Sequence, residues 1–320
     1  MKKLRTALIV LAIVAVCGGG AFAQAKGKLK AAMLLSGPIN DGGWNTLAYE
    51  GLQALKKDLG YEIAYTENVK QAEQKNILRN YAKKGYDLII GHGFEYGDAL
   101  TEVSAEFPKT AFYNVGGTVS GPNLGSGVFA LGELSYLTGI VAAKFTKSNK
   151  IGFVGADEIP TITSEVDTIK KTVASLNPSA TVSVAYTGSW TDVNKGKEAA
   201  LAQIASGVDV IICIGDACDA GAIKAAEEKG AHVIGWSGDM NKLSPKTVLT
   251  SGVQSVQNLV LIQGKALAAG TWKAEAKVYG ITEGTQFLGT WSKDVPDSLK
   301  KEVTAEFDKI KAGTLVKRSN

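Results

Sequence analysis

Residues 29–60 read LKAAMLLSGPINDGGWNTLAYEGLQALKKDLG, and this stretch decides the fold. Its first part, Leu29–Leu35, is a short apolar run of the kind that forms a buried parallel strand. From about Trp44 onward, apolar residues recur near helical spacing until Gly60. Ser36–Gly43, between the two parts, is rich in Gly, Pro, Asn and Asp, which is typical of a loop. The stretch therefore predicts a strand, a loop and a helix, the unit from which parallel α/β sheets are built.

The loop of this unit carries side chains suited to a flat ligand. Strand-to-helix loops of a parallel sheet lie at its carboxyl edge, where ligands bind. Trp44 and Asn45 fall at the predicted helix start, beside free backbone N–H groups. The indole of Trp44 could stack on a heterocycle, while Asp41 and Asn45 bond its polar edge. The alternative is that Asp41 only caps the helix and Trp44 packs on the sheet.

The amino-terminal segment has the features of an export signal. Lys2, Lys3 and Arg5 form a basic start, Ala7–Val16 is apolar but too short for a permanent anchor, and residues 21–23 read AFA, a small-x-small cleavage site. We therefore predict that residues 1–23 are a signal peptide and that the mature protein is periplasmic.

Lipid attachment and nucleic-acid binding are the less favoured alternatives. Cys17 follows Val16, whereas a lipid-attachment signal needs a small residue at that position. The formal charge of the full sequence is +4, and three of the positive charges belong to the predicted signal. The remaining chain is nearly neutral, with lysines and acids interspersed, so its charge does not indicate a nucleic-acid partner.

After the opening unit the chain alternates strands and helices in two series. The predicted strands of the first series are Tyr61–Thr66, Tyr86–Gly91 and Thr110–Asn114, and those of the second are Lys150–Val154, Thr181–Tyr186, Val208–Cys213 and His232–Gly235. The Gly-rich stretch Gly116–Gly127 predicts a crossing between two lobes. Residues 85–90 read GYDLII and residues 207–212 read GVDVII, at a constant offset of 122, which indicates a duplicated topology.

The predicted fold is therefore α/β, with two doubly wound lobes and a hinged cleft between them. The first lobe comprises residues 24–125 plus about 252–290, the second about 126–251, and residues 291–320 pack back on the lobes. The strand Thr247–Ser251 and the helix Val253–Ala269 are expected to return the chain to the first lobe.

In this arrangement the strand-end loops of both lobes face one another. Their aromatic and acidic side chains suit a neutral or weakly basic planar ligand, held by stacking and charge-assisted hydrogen bonds. The candidate ligand-binding residues are Asp41, Trp44, Asn45, Phe94, Trp190, Asp216, Trp236 and Asp239.

Catalytic and metal sites are not indicated. The sequence has only two histidines, His92 and His232, and no nucleophile elbow, Walker lysine loop or zinc-protease motif. Cys213 and Cys218 lack the further ligands of a zinc site, so no metal or cofactor is predicted. In an oxidising compartment the two cysteines could pair across one loop, or both could stay free.

Several stretches resemble the basic membrane protein (BMP, or Med-like) family of substrate-binding proteins of ABC importers, many of which take up purine nucleosides. They are GPINDGGWNTLAYEGL at 37–52, IGFVGADEIP at 151–160, YTGSWTDVNKGKEAALAQIASGVDVI at 186–211, GAIKAAEEKGAHVIG at 221–235 and VLTSGVQSV at 248–256. The resemblance covers essentially the whole mature chain. It implies the type I periplasmic-binding fold, a ligand between the lobes and an ABC permease as partner.

The resemblance also assigns roles to single residues. Asp41 and Asn45 match the acid and amide of the family's D-x-S-F-N loop, with Trp44 in place of its Phe. Trp190 replaces the Phe of the family's G-S-F-x-D motif.

The departures from the family pattern concern the sugar. Nucleoside-binding members read G-V-D-S-D-Q where residues 235–240 here read GWSGDM, so Ser237 replaces the ribose-binding acid and Trp236 precedes it. Gln254 stands where such members tend to carry Lys. A free purine base therefore fits better than a nucleoside.

The sequence thus predicts an exported, monomeric receptor that binds a purine base, with adenine preferred, and delivers it to an ABC permease. A purine nucleoside-binding protein is one alternative. A sensor that presents its ligand to a membrane receptor is another.

Overall fold

The computed structural model describes residues 27–318, so the predicted signal peptide, residues 1–23, lies outside the described residues. The strands are β1 Lys30–Leu35, β2 Glu62–Thr66, β3 Leu88–His92, β4 Ala111–Val115, β5 Leu124–Phe129, β6 Lys150–Gly155, β7 Thr181–Tyr186, β8 Val210–Ile214, β9 His232–Ser237, β10 Val248–Gln254, β11 Ala276–Tyr279 and β12 Gln286–Leu288. The helices are α1 Trp44–Leu59, α2 Gln74–Lys83, α3 Gly97–Glu106, α4 Glu133–Phe145, α5 Pro160–Leu176, α6 Val193–Ala205, α7 Ala217–Lys229, α8 Val256–Ala268 and α9 Asp297–Lys311.

The opening unit folds as its pattern predicts. β1 is buried and pairs in parallel with β2 on one side and β3 on the other. α1 ends at Gly60, whose φ of 72° is the left-handed conformation that glycine adopts without strain. The N–H groups of Gly60 and Tyr61 then satisfy the carbonyls of Lys56 and Leu55.

The strands of the described chain form two six-stranded sheets. Their orders are β11-β5-β4-β3-β1-β2 and β12-β10-β9-β8-β6-β7. Every pairing in the first sheet is parallel, and in the second only β12 runs antiparallel to its neighbour. The two repeated segments, β3 and β8, occupy equivalent places in the two orders. The predicted α/β fold with two doubly wound units is confirmed.

Helices cover both faces of each sheet. α1 and α8 pack together beside the first sheet, and α2 and α3 pack together over residues of its other face. In the second sheet α4 contacts α5 and α9 on one face, and α6 contacts α7 on the other. The central strands are buried on both faces, which explains their continuous apolar sequences. No helix within residues 27–318 is long and apolar enough to cross a membrane.

The chain passes between the sheets at different points from those predicted. The Gly-rich stretch Gly116–Gly127 does not form the first crossing, because β5 still pairs in parallel with β4; the crossing lies just before α4. The strand predicted at Thr247–Ser251 does not return to the first sheet, because β10 pairs with β9. The helix that follows it, α8, does pack on α1 of the first sheet.

One further strand lies outside its predicted lobe. β12, within the range 252–290 assigned to the first lobe, pairs with β10 of the second sheet. Its backbone satisfies the free edge of β10, a role the short segment's composition does not reveal. The lobe boundaries as a whole stay a prediction.

Candidate functional site

The carboxyl ends of the two sheets approach each other at the loop before α1 and the loop after β8. A Cβ atom added at Gly43 would lie 2.7 Å from a carboxylate oxygen of Asp216, so only glycine allows this approach. Because Gly43 directly precedes Trp44, the first residue of α1, the carboxyl group of Asp216 lies at the start of that helix. The first and second sheets therefore meet at the start of α1, where ligands bind in folds of this type.

Asp41 organises the loop that precedes α1. Its carboxylate accepts hydrogen bonds from the backbone N–H groups of Gly43, Asn45 and Thr46 at 2.9, 3.1 and 3.0 Å. Burial raises the pKa of Asp41, but these hydrogen bonds outweigh it, and the net pKa lies below its ordinary value. The helix-capping role, foreseen as the alternative, is present. A direct ligand contact of Asp41 stays a prediction.

Asn45 is held by the same loop. Its Nδ2 donates to Asp41 at 2.8 Å and its Oδ1 accepts from the backbone N–H of Gly37 at 3.3 Å. The side chain is buried, so the loop fixes its amide.

Trp44 is half-buried at the first position of α1. Its ring stacks on His92, with centroids 4.2 Å apart and an interplanar angle of 28°, and meets Phe129 edge-on at 6.3 Å. The Nε2 atom of His92 also lies 3.0 Å from the carbonyl oxygen of Trp44. Trp44 thus packs on the end of the sheet, and part of its ring stays accessible.

Phe94 lies beside Trp44 at the edge of the first sheet. It begins a 3₁₀ helix, Phe94–Tyr96, and 74% of it is exposed. A Cβ atom added at Gly116 would lie 3.6 Å from both the Phe94 nitrogen and the Trp44 ring. The two aromatic residues therefore flank the same glycine, and the Phe94 ring faces solvent.

A groove of about 480 Å³ adjoins Phe94. It is lined by Phe94, Glu95, Asp98, Asn114, Gly116 and Thr118, among others. Asn114 is fully buried; its Nδ2 donates to the carbonyls of Gly91 and Gly93 at 3.1 and 2.7 Å. This amide therefore fixes the loop that presents Phe94.

Asp216 has an unusual environment for a carboxylic acid. Its φ is 51°, a conformation that non-glycine residues rarely adopt. Burial and the nearby charge of Asp41 raise its pKa to about 7, against the opposing effect of the nearby backbone N–H of Trp44. Asp219 lies behind it, and burial raises the pKa of that carboxyl well above its ordinary value. A substantial fraction of Asp216 is therefore protonated at neutral pH.

Trp190 is half-buried in a loop that is tied to the start of α7. Its carbonyl accepts the N–H of Ala217 at 3.1 Å. The Sγ of Cys218 lies 2.9 and 3.1 Å from the carbonyl oxygens of Ser189 and Asp192, which share its one S–H donor. Cys213 and Cys218 are both buried and free, so the structure shows the unpaired alternative and gives Cys218 a role in holding this loop.

Trp236 and Asp239 make contacts within the second sheet. Trp236 is 2% exposed and packs in the hydrophobic core beside that sheet, and a ligand contact of its indole stays a prediction. A Cβ atom at Gly252 would lie 3.0 Å from its ring. The carboxylate of Asp239 accepts from the N–H and hydroxyl of Thr290 at 3.0 and 2.6 Å, which ties down the segment after β12.

The structure therefore brings together Asp41, Trp44, Asn45 and Asp216, with Phe94 on the neighbouring rim. His92 and Asn114 lie close to these residues, although the sequence pattern assigns neither of them a role. Both are polar residues near the carboxyl ends of fully buried strands, and that placement is the signal that could have identified them. Within residues 27–318 no group of three or more His, Cys, Asp or Glu side chains could hold a metal ion.

Comparisons with known proteins identify the family and relatives of the whole chain. The family described as "ABC transporter substrate-binding protein PnrA-like" matches residues 28–320. A purine-binding protein of Brucella abortus is 30% identical over 310 residues, which cover 96% of this chain and 88% of that protein. An ABC transporter nucleoside-binding protein of Lactococcus lactis is 35% identical over 235 residues, covering 66% of this chain and 64% of that one. The solved structure of an ABC transporter solute-binding protein from Conexibacter woesei matches with a TM-score of 0.77 and 26% identity, covering 90% of this chain and 98% of that chain.

Proposed function

The chain belongs to the PnrA-like (Bmp) family of ABC transporter substrate-binding proteins, and from this premise we propose that it captures a purine base, adenine in preference, and delivers it to an ABC permease. The proposal places the base in the cleft where the first and second sheets meet. It also includes export to the periplasm and action as a monomer.

The observation that carries the proposal is that Asp216 of the second sheet lies against Gly43, directly beside Trp44 at the start of α1. An indole offers a flat surface on which a base can stack. A carboxylic acid with a pKa near 7 is partly neutral, and the neutral form both donates and accepts a hydrogen bond. The amidine edge of adenine presents one donor beside one acceptor, so a neutral carboxyl group is complementary to it.

The relatives support the same ligand class. The Brucella abortus protein, similar over nearly the whole chain, is named for purine binding. Phe94 and Trp190 supply further aromatic surface on either side of the proposed cleft. Asp41 and Asn45 hold the loop that carries Trp44, whether or not they also contact the base.

A nucleoside is the second candidate ligand, favoured by the name of the Lactococcus lactis relative. Ribose hydroxyls need polar partners, and a buried hydroxyl without one costs about 1–3 kcal/mol. Ser237 and Gln254 are the residues at the positions where the family's sugar contacts are expected. Neither carries a charge, so the free base remains the preferred ligand.

Isothermal titration calorimetry tests the proposal directly. The mature protein is titrated with adenine, guanine, hypoxanthine, adenosine and glucose after unfolding and refolding to remove any ligand that co-purifies. We expect adenine to bind most tightly. Binding of glucose without binding of any purine would refute the proposal, and mass spectrometry of the material released on unfolding would identify the ligand independently.

A further inference from the structure

His92 is the last residue of β3 and is fully buried beneath Trp44. Two separate contacts join this pair: the rings stack at 4.2 Å, and the His92 Nε2 atom lies 3.0 Å from the Trp44 carbonyl oxygen. The imidazole thus holds both the side chain and the backbone of one residue. No other aromatic ring in the described chain combines these two contacts with Trp44.

The contacts define the protonation state of the ring. A carbonyl oxygen only accepts hydrogen bonds, so Nε2 carries the hydrogen and donates it to Trp44. Burial lowers the pKa of His92 to about 3, which keeps the imidazole neutral at physiological pH. The other nitrogen, Nδ1, is buried without a hydrogen-bond partner among the described residues. Burial of this unpaired nitrogen costs stability, and the ring nevertheless lies against the indole.

We propose that His92 is a positioning residue for ligand binding, which fixes the indole of Trp44 in the orientation needed for stacking before the ligand arrives. This inference rests on the proposed function. Phe129 supports the edge of the same indole, so the ring is restrained from two sides. A side chain that is fixed in advance loses less rotational freedom on binding, and affinity rises accordingly.

Two substitutions separate the two contacts. His92→Phe keeps a ring for stacking and removes the N–H donor, whereas His92→Gln keeps a donor of similar reach and removes the ring. His232→Gln is the matched control, because His232 packs edge-on against Phe145 at 4.9 Å in the second sheet, away from the proposed cleft. Each variant is titrated with adenine, and the near-ultraviolet circular dichroism of the indoles is recorded.

We expect His92→Gln to weaken adenine binding by roughly threefold to tenfold, the range that loss of an aromatic pair corresponds to. His92→Phe should weaken it by a smaller factor, and His232→Gln should leave it unchanged. The decisive measurement is a double-mutant cycle with Trp44→Ala. If His92 acts through Trp44, His92→Gln costs nothing further in the Trp44→Ala background.

An equal loss in both backgrounds, an unchanged affinity of His92→Gln, or a loss matched by His232→Gln would overturn the proposal. Failure of the proposed function is distinguishable, because the unmodified protein would then bind no purine. In that case near-ultraviolet circular dichroism alone tests whether His92 positions the indole. The indole band that is lost in Trp44→Phe must also change in His92→Gln. An unchanged band would show that His92 does not position the indole.

Discussion

The carboxyl group of Asp216, in the loop after β8 of the second sheet, lies against Gly43 at the start of α1 beside the first sheet. A Cβ atom added at Gly43 would lie 2.7 Å from a carboxylate oxygen, so any side chain there would collide with it. Separation of the two sheets would break this contact and return Asp216 to water. The acid is therefore both a candidate ligand-binding group and a contact that exists only in the closed arrangement.

The first prediction concerns pH. Burial beside Asp41 raises the pKa of Asp216 to about 7 in the closed arrangement, whereas a solvated Asp titrates near 3.8. At any pH between these two pKa values, opening of the cleft releases a proton from Asp216. The free energy of closure therefore becomes progressively less favourable as pH rises from about 4 to about 7, and it is nearly constant above that range. Where binding requires closure, these pKa values make adenine affinity weaker at pH 8 than at pH 5 by up to about a hundredfold.

The control for this prediction is Asp216→Asn, which cannot ionise. Its adenine affinity should vary much less over the same pH range, measured by titration calorimetry in matched ionic strength. Asp219, whose pKa burial also raises, lies behind Asp216 and is left unchanged in the variant. The same pH dependence in Asp216→Asn as in the unmodified protein would assign the effect to another group.

The second prediction concerns the stacking surface. Trp44→Ala should weaken adenine binding by about tenfold to a hundredfold, because base–aromatic stacking contributes about 1–3 kcal/mol. It should also lower the free energy of unfolding by roughly 1–3 kcal/mol, since the ring covers His92 and Phe129. Trp44→Phe should retain most of the adenine affinity and most of the free energy of unfolding. Unchanged affinity in Trp44→Ala, with stability lost, would make Trp44 a packing residue only.

The third prediction concerns the carboxyl-terminal segment and the crossings between the sheets. Arg318 bonds Glu133, a 2%-exposed residue at the first crossing, at 2.7 Å, and also Glu283 at 2.7 Å. Arg318→Ala should lower the free energy of unfolding by about 1–3 kcal/mol, because Glu133 would lose its charged partner in a buried site. Chemical denaturation measures the change.

Arg79→Ala is the matched control for Arg318→Ala. Arg79 also bonds two glutamates, Glu102 and Glu106, but all three lie on the surface, where ion pairs contribute little. The control should therefore be the more stable of the two variants. The reverse order would show that the Arg318 contacts do not stabilise the crossing.

Local patterns predicted the elements well and their exact ends poorly. The strand, loop and helix of residues 29–60 follow from apolar spacing and from the stop at Gly60. The sequence placed Trp236 in a loop because it assigned the strand to His232–Gly235, but β9 continues to Ser237. Since a strand alternates its side chains between two faces, those two extra residues turn Trp236 toward the core.

Contacts between distant segments could not be read from the sequence. The approach of Gly43 to Asp216 depends on how two separate sheets are set against each other, and no local pattern encodes that relation. The sheet to which β10 belongs could not be predicted either, because its apolar sequence would suit a strand of either sheet. Only its pairing with β9 places it in the second sheet. The predicted strand Tyr86–Gly91 likewise stops one residue short of His92, which ends β3 and is fully buried.

The last prediction distinguishes a base from a nucleoside. Ser237, at the end of β9, pairs with Val253, the residue that precedes Gln254 on the neighbouring strand. Neither side chain can supply the charged contacts expected for ribose, so adenosine should bind at least about tenfold more weakly than adenine. Because Trp236 faces the core, it does not obstruct this position, and Ser237→Asp combined with Gln254→Lys should narrow the difference. Asp tolerates the positive φ of 62° at residue 237 better than most side chains do.

Competitive titration of adenine and adenosine into the unmodified protein and the double variant measures the ratio of the two affinities. Equal affinities in the unmodified protein would contradict the preference for a free base, and an unchanged ratio in the double variant would place the sugar elsewhere.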